Sequence, residues 1–599
     1  MSLQIKRAEV KMSVLLAQHN VPLALADHLS PLIRDVFDGE VAQGYACAKT
    51  KTTCILNGAV APQLRDELVS LMQNTPYSLS VDGSNDSGLE KMNPLTVRVY
   101  TENTCKVETR FLDMCTTSGT DAATARAIFD KMDGVLSNYN IPWDNCVGLG
   151  VDNTSVNTGR HNSIISRIHA INQNVYLMGC PCHIAHNTAN AAADALRNVT
   201  GFDVEELVVD MFYWFDKSTK RKSSLEEYCC FCDVQYRKVV KHVSTRWLSL
   251  ETAVERVLKL YSGLRSYFAS ESCSQARFLR LQALFADPLT EVYLMFFQSV
   301  LPVFNHFNLF LQREAPCIHL IQGHCQSLLK KVLGRFVKSD VIKDAPSLSE
   351  VSIDLDSLLS DRDIFIGFVT RQTLRKLEND GDCSPSDCKK FFRGIRQFYE
   401  AAFEYIVAKF PLDDEVLEHA IFVNFERRES CNFSDVNYFM DRYQVALRFT
   451  ANVSDMVFDE FVEYQLLDRG DIPQSVWDTA SEELEGGGVF VRMDVLWGFL
   501  GSMKTGDGCN LKFQNLSRIA KLVLTLPHSS AAEERVFSLV RLNKTPYRSS
   551  LSLDGTLSSI LTVKMFNPEP CYKFEPPVDM LEKSKKVTWE YNKEHSTKS

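Results

Sequence analysis

The sequence predicts an α/β protein in which a mixed sheet with helices on its faces is interrupted by a long helical insertion. Five short apolar runs before residue 180 have the length and residue types of strands. From about 251 to 505 the apolar residues instead follow helical spacing, with few strand patterns. The predicted domains are an N-terminal helical region (1–75), the first part of the α/β core (76–250), the helical insertion (251–505), the end of the core (506–568) and a polar tail (569–599).

Composition and charge narrow the class of protein. The chain has 599 residues, of which 45% are hydrophobic and 23% charged, as is usual for a folded soluble protein. A net charge of -10 excludes a uniformly basic nucleic-acid coat but allows a local basic channel. No secretory leader and no run of about 18 apolar residues is visible, so we expect no membrane span. The 18 cysteines are then expected to be reduced intracellular thiols.

The first predicted strand begins at Tyr77 and ends in a carboxylate. Residues 77–82 alternate apolar with polar, which predicts a strand buried on one face only. Asp82 lies on the polar face at the strand end, and Gly83 lets the chain turn. The pattern fits either a metal-binding carboxylate or an aspartate that only begins a turn.

The following elements predict the topology of the sheet. Strands at 95–100 and 107–114 are too close together for helical crossovers and predict an antiparallel meander with the first strand. A helix at 121–139, a buried strand at 146–152, a second helix at 164–171 and a fifth strand at 175–178 follow. This order matches the ribonuclease H-like fold, in which the first and fourth strands end side by side. Asp82 and Asp152 should therefore meet, and paired carboxylates suit divalent ions.

Residues 180–250 contain polar clusters with more than one interpretation. The basic turn is either solvated surface or a phosphate contact. Three cysteines near 230 are favoured as buried thiols, because no further ligand has metal-site spacing. A zinc site at 180–186 is disfavoured, because adjacent Cys182 and His183 are awkward ligands of one ion. The basic turn comprises Lys217, Lys220, Arg221 and Lys222; the cysteines are Cys229, Cys230 and Cys232; the possible zinc ligands are Cys180, Cys182, His183 and His186.

The last predicted core element is a helix that begins near Ser530. Ser530 and Glu533 have capping-box spacing, which would engage Glu533 at the helix start. Glu534 lies about 100° further round the helix and is free to point elsewhere. From residue 570 the chain is polar and is expected to be a disordered tail.

Taken together, five motifs in order resemble the hAT superfamily of DNA transposases, in particular its domesticated vertebrate descendants. The resemblance covers roughly residues 60–565. Arg548, Leu551 and residues 561–564 (LTVK) resemble the family's C-terminal dimerisation segment. The five motifs are VDGSND at 81–86, VDNTSVNTG at 151–159, CPCH at 180–183, TRW at 245–247 and SSAAEERVFS at 529–538.

The resemblance implies a catalytic trio and DNA contacts. Asp82, Asp152 and Glu534 would hold two divalent ions, Mg²⁺ or Mn²⁺, at a DNA phosphate. His183 would lie near the active site and contact DNA, and Arg246 would contact phosphate or pair with a carboxylate. Trp247 would stack on an extruded base or be an ordinary core residue. Lys220 and Arg221 of the basic turn join this predicted DNA-binding set. No zinc is expected.

Three functions remain open from the sequence. Many family members begin with a BED-type zinc finger, and residues 1–75 hold no Cys/His set with that spacing. This departure favours a transposase-derived nuclear protein that binds DNA and dimerises through its C-terminal region, with catalysis lost. The intact acids favour the alternative, an active metal-dependent transposase. A ribonuclease H-like exonuclease is a third interpretation, which the motif at 529–538 disfavours.

Overall fold

The chain divides into two compact units. In a computed structural model, the described residues are 2–85, 90–243, 249–450, 453–484, 487–506, 508–548, 551–566 and 569–596. The first unit comprises residues 1–180, 313–319 and 415–599. The second comprises 181–312 and 320–414, whereas the predicted insertion spans 251–505.

The first unit is built on a five-stranded mixed sheet. Its strands are Tyr77–Val81 (β1), Leu95–Thr101 (β2), Lys106–Asp113 (β3), Cys146–Val151 (β4) and Tyr176–Gly179 (β5). Their spatial order is β3-β2-β1-β4-β5. β1, β2 and β3 pair antiparallel, whereas β4 pairs parallel with both β1 and β5. The predicted strands, the antiparallel meander and the mixed sheet are confirmed.

One face of the sheet carries the large apolar side chains. Tyr77, Leu79 and Val81 of β1 share this core with residues of β2 and β4. Helices Ala61–Asn74, Ala125–Asn138 and Ile164–His169 cover the face. The alternation of residues along each strand places every second side chain in this core.

The opposite face of the sheet is also covered, so the prediction of a strand buried on one face only is wrong. Ser78 and Ser80 are 0% and 3% exposed. Helix Gln514–Thr525 packs against β1, β2 and β3 on this second face. Small serine and glycine side chains let that helix and the segment after it approach the strands closely.

Both ends of the chain contribute to a second core of the first unit. Val10 and Val14 of helix Ser2–Gln18 cluster with Ile560 and Val563. Residues 1–75 are mainly helical, as predicted. The expected disordered tail is wrong, because Val578–Ser596 is a helix whose apolar Met580 is 0% exposed within this core. The other helices of the first unit are Ala26–Val36, Glu40–Gly44, Lys49–Ile55, Ser155–Thr158, Glu415–His419, Phe433–Arg442, Gln444–Leu447, Val453–Gln465, Gln474–Ala480, Met493–Leu500, Ala531–Asn543 and Ser558–Phe566, and its short strands are Ser84–Asn85, Glu90–Met92, Thr117–Ser118, Ser481–Glu483 and Val489–Val491.

The regular secondary structure of the second unit's described residues consists of helices and one isolated β-bridge, between Val337 and Leu358. Helix Leu289–Leu311 is long and apolar enough to cross a membrane by length and composition, but half of its most apolar window is buried inside the molecule. Phe296 packs edge-on against Phe398, with ring centroids 5.2 Å apart, as in the core helix of a globular domain. The helices are Pro181–Thr200, Val204–Phe215, Thr219–Phe231, Ser249–Lys259, Tyr261–Ser270, Ala276–Ala286, Leu289–Leu311, Ile318–Leu333, Ser339–Asp344, Phe368–Asp380 and Pro385–Lys409.

Candidate functional site

Two aspartates follow the neighbouring parallel strands β1 and β4. Ser80 of β1 is paired in register with Gly150 of β4, so Asp82 and Asp152 follow the strands at the same edge of the sheet. The predicted juxtaposition of these strand ends is confirmed. Asp82 is 7% exposed, and its Oδ1 accepts a hydrogen bond from the Gly83 amide at 2.7 Å.

Asp152 is held by the loop that follows β4. Its Oδ1 accepts hydrogen bonds from the Thr154 amide at 3.0 Å, from the Thr154 hydroxyl at 2.7 Å and from Asn157 Nδ2 at 2.6 Å. Three donors on one oxygen fix the orientation of the carboxylate. The loop geometry explains why the sequence places Asp, Thr and Asn at this spacing.

The segment that precedes Glu534 crosses the face of the sheet that carries the serine and glycine residues. A Cβ on Gly150 would lie 3.0 Å from the Pro527 Cβ and 2.6 Å from the Ser80 Oγ, so only glycine fits there. Further along, the Ser530 amide donates to Cys180 Sγ at 3.3 Å, just past the end of β5. Residues 527–530 thus pass over β4 and reach the end of β5, which brings the helix Ala531–Asn543 to the sheet.

Glu533 is a core residue, and the predicted capping box is wrong. Ser530 precedes the helix without a side-chain capping bond. Glu533 is 0% exposed and accepts a short hydrogen bond from the Thr96 hydroxyl of β2. Thr96 is paired with Ser80 of β1, so this contact docks the helix start beside the end of β1. The tertiary contact with Thr96 replaces the local cap.

Burial changes the acid–base properties of Glu533. Loss of hydration raises the pKa of its carboxyl to about 7, although the Thr96 hydrogen bond lowers it. Within the part of the chain that the structure describes, no group hydrogen-bonds Oε2 of this carboxyl. A proton on Glu533 at neutral pH therefore relieves the cost of a buried charge.

Two further buried polar side chains lie on or near the same face. Arg98 of β2 is 6% exposed and donates to Thr109 at 3.3 Å, and burial lowers its pKa to about 10. His528 is 2% exposed, and its Nε2 lies 3.1 Å from the Arg313 carbonyl oxygen. Burial and then the charge of Arg98 hold the pKa of His528 well below its ordinary value, so the imidazole is neutral. Sequence reasoning missed this polar layer, although Thr96 and Arg98 at alternate positions of a strand could have indicated it.

Glu534, the third predicted acid, follows directly on the docked Glu533. It is half-buried in the first helical turn, and its amide bonds the Ser530 carbonyl at 3.3 Å. Among the described residues, which include all three predicted acids, no group of three or more His, Cys, Asp or Glu side chains has the arrangement of a metal site. The fold thus brings Asp82 and Asp152 to one edge of the sheet, and the helix that carries Glu534 begins beside that edge. The three side chains do not have the arrangement of a three-ligand metal site.

The structure describes three of the five predicted DNA-binding residues. His183 is half-buried on helix Pro181–Thr200 of the second unit. Arg246 and Trp247 lie outside the described residues. Lys220 is exposed, but the Arg221 guanidinium stacks 3.5 Å from the Trp214 ring centroid and donates to the Trp214 carbonyl oxygen.

The clustered cysteines differ in exposure. Cys180 and Cys182 are both buried. Near residue 230, Cys229 is buried but Cys230 is exposed, so the expectation of buried thiols fails for Cys230. Cys230 is on the outer side of helix Thr219–Phe231, where its neighbour Phe231 is 84% exposed as well.

Comparison with known families adds one match. The hAT family C-terminal dimerisation region matches residues 509–563. In the structure these residues form helices Gln514–Thr525 and Ala531–Asn543 and most of Ser558–Phe566. Fold and match together define an α/β protein that carries a transposon-type dimerisation region. The match over residues 509–563 supports a hAT-transposase-related protein.

Much of the matched region is interior. Leu516, Ile519 and Val523 are each 0% exposed, because this helix covers the second face of the sheet. Leu542 is 58% exposed and Leu511 is 41% exposed. Contacts with a second chain through this region must therefore use its outer side chains.

Proposed function

We propose that this chain is a hAT-transposase-derived nuclear protein that binds DNA and self-associates, and that its sheet is a ribonuclease H-like core without retained strand-transfer chemistry. The observation that carries the proposal is the match of residues 509–563 to the hAT dimerisation region. The aspartates after β1 and β4, with the helix of Glu533 and Glu534 docked beside them, support the core assignment. The strand order β3-β2-β1-β4-β5, antiparallel and then parallel, supports the ribonuclease H-like assignment.

The donor set suits a hard divalent cation. Asp82, Asp152 and Glu534 offer only carboxylate oxygens, which Mg²⁺ and Mn²⁺ prefer. Mg²⁺ is commonly held by one or two protein carboxylates together with substrate phosphates, so the two aspartates could hold it when DNA supplies the remaining oxygens. When bound, such ions activate a water or 3′-hydroxyl nucleophile and stabilise the leaving oxygen.

Loss of catalysis is supported by how the acids are held. One oxygen of Asp152 already accepts three hydrogen bonds, and the described acids do not form a three-ligand group. Glu533 is committed to the interior by Thr96 and cannot substitute for Glu534. The second candidate function, an active transposase, is favoured by the juxtaposition of Asp82 and Asp152 alone.

Incubation with pre-nicked DNA and Mg²⁺ or Mn²⁺ separates the two functions. We expect retention of duplex DNA in a mobility-shift assay and no cleavage or strand-transfer product. Products that disappear in both Asp82→Ala and Glu534→Ala would instead establish the transposase. A protein that neither retains duplex DNA nor forms products would contradict both functions.

Metal binding has a readout that does not depend on activity. With DNA present, millimolar Mn²⁺ should raise the Tm of the wild-type chain, and Asp82→Asn should abolish the increase. The matched control is Asp340→Asn, at an aspartate exposed in the second unit. An equal Mn²⁺ effect in both variants would show that the ion binds elsewhere.

Self-association is tested at the exposed side of the matched region. Leu542→Asp adds a charge to an outward side chain without disturbing the core. We expect this variant to lower the dimer fraction in light scattering at a given concentration. Leu355→Asp, at a leucine that is 89% exposed in the second unit, is the control and should leave the fraction unchanged.

A further inference from the structure

A basic, concave pocket lies in the first unit between N-terminal helices and helix Val578–Ser596. Its volume is about 990 Å³. The sequence as a whole carries a net charge of -10, so a concentration of cations here is unexpected from composition. The charged lining residues are the cations Lys6, Arg34, Lys51, Lys585 and Lys586 and the single carboxylate Glu582.

A buried acid outside the lining holds two of the lining lysines. Glu9 has a side chain that is only 1% exposed, and it pairs with both Lys6 and Lys51. One carboxylate shared by two ammonium groups leaves a net positive charge at this point. The two lysines are therefore held in place before any ligand arrives.

The rim carries the more exposed cations. Arg34 and Lys585 are exposed and line the pocket. Lys586 lies 3.8 Å from Glu590 across one exposed helical turn, a pairing that solvent weakens strongly. The rim thus presents cationic groups that phosphate oxygens can reach.

An exposed tryptophan stands among these cations. Trp589 lines the pocket and is 61% exposed, which is unusual for the largest apolar side chain. It lies three and four residues after Lys586 and Lys585 on the same helix, so the three side chains share one side of that helix. Lys593 Nζ lies 5.1 Å from its ring centroid.

We propose that this pocket binds an unpaired stretch of nucleic acid, with a base stacked on Trp589 and the adjacent phosphates on Arg34 and Lys585. An aromatic platform in a cationic groove is the arrangement that recognises single strands without sequence preference. A duplex keeps its base faces stacked inside, so it could use the cations but not Trp589. The inference deepens the proposed DNA binding yet uses none of the sheet residues.

An anionic membrane is the competing ligand for lysines beside a tryptophan. Membrane-surface helices insert a continuous apolar face into the bilayer. Here the cations and Trp589 line a concavity bounded by several helices, which a flat bilayer cannot fill. The geometry therefore favours a narrow, flexible strand.

Fluorescence anisotropy with labelled dT15 and a 15-base-pair duplex tests the site on the full chain. Trp589→Ala should weaken dT15 binding about 5- to 150-fold, the range for loss of one stacked base, and leave duplex binding within twofold. The double variant Lys585→Glu/Lys586→Glu should weaken dT15 binding and flatten its salt dependence. The charge-matched control Lys389→Glu/Lys390→Glu, at exposed lysines of the second unit, should change neither.

The outcomes separate this site from the sheet site. In EDTA, where the sheet site can hold no divalent ion, dT15 binding should persist, so failure of the proposed core function would not remove it. Equal dT15 affinity in wild type and Trp589→Ala, with both proteins showing the same Tm, would overturn the proposal. Binding to phosphatidylserine vesicles that is lost in Trp589→Ala, without dT15 binding, would assign the pocket to membranes instead.

Discussion

The buried Glu533 carboxyl makes the stability of the first unit depend on pH. Glu533 is 0% exposed, and burial raises its pKa to about 7 from an ordinary value of 4.5. The folded state then holds a proton that the unfolded state releases between these pH values. Stability from this group is fully present below pH 4.5 and is lost as pH rises through 7.

The magnitude follows from the two pKa values. The pKa of the Glu533 carboxyl rises from 4.5 to about 7 on folding. As the pH rises across that interval, the folded protein therefore loses roughly 3 kcal/mol of stability. Glu533→Gln keeps the shape and the acceptor for Thr96 but removes the ionisation. We therefore expect the variant to be more stable than wild type by roughly 3 kcal/mol at pH 8 and nearly equal to it at pH 4.5.

Thermal unfolding at a series of pH values measures this difference. For a body of this size the expected rise in Tm at pH 8 is roughly 3–6 °C. Because folding lowers the pKa of His528, this group makes the fold less stable as the pH falls, opposite to the effect of Glu533. The contribution of Glu533 is therefore measured as the difference in Tm between the variant and the wild type at each pH. Glu40→Gln, at an exposed glutamate, is the matched control.

Removing the hydrogen-bond partner of Glu533 should also change the pH dependence of stability. The Thr96 hydroxyl lowers the pKa of Glu533, so Thr96→Val should enlarge the pH-dependent loss of stability in the wild-type background. In the Glu533→Gln background, where this carboxyl is absent, the same substitution should have a smaller pH-dependent effect. A difference in Tm between Glu533→Gln and wild type that stays constant from pH 5 to pH 8 would refute a buried ionisation at this position.

Three substitutions and one control test the packing, each by urea unfolding. Gly150→Ala should destabilise the fold by about 1–3 kcal/mol, because a Cβ there would lie 2.6 Å from a serine oxygen on β1. The control Gly134→Ala, in a helix where a Cβ would meet nothing within 4 Å, should stabilise it by about 0.5–1 kcal/mol. Equal effects of the two substitutions would contradict the close approach at Gly150. Asp494→Ala should cost about 3–5 kcal/mol, because it leaves the largely buried Arg492 with only the more exposed Glu482 as an ion-pair partner; a neutral result would show that solvent reaches the pair. Met580→Ala should cost about 2–5 kcal/mol if the C-terminal helix belongs to the core, and an unchanged midpoint would contradict that packing.

The sheet was predictable because its signals are local. The alternation in β1 and the short apolar runs after it identified the five strands, and the short spacing between the first three predicted their antiparallel pairing. The meeting of Asp82 and Asp152 then followed from topology, since parallel neighbours end at the same edge.

The errors arose where tertiary contacts replaced local preference. Ser530 and Glu533 have the spacing of a capping box, but Thr96, distant in sequence, takes the Glu533 carboxyl into the core. Ser78 and Ser80 suggested a solvent-facing side of β1, yet small polar residues are what a closely packed helix requires. The cationic pocket was not predictable, because Lys51 and Lys585 come from opposite ends of the chain.

The covering of β4 by Pro527 has a consequence for biosynthesis. At about 5–20 residues per second, a ribosome needs roughly 20–90 s to translate from β1 to that proline. During this interval the serine and glycine side of the nascent sheet lacks its cover, so we expect the growing polypeptide to depend on chaperones until its last quarter emerges.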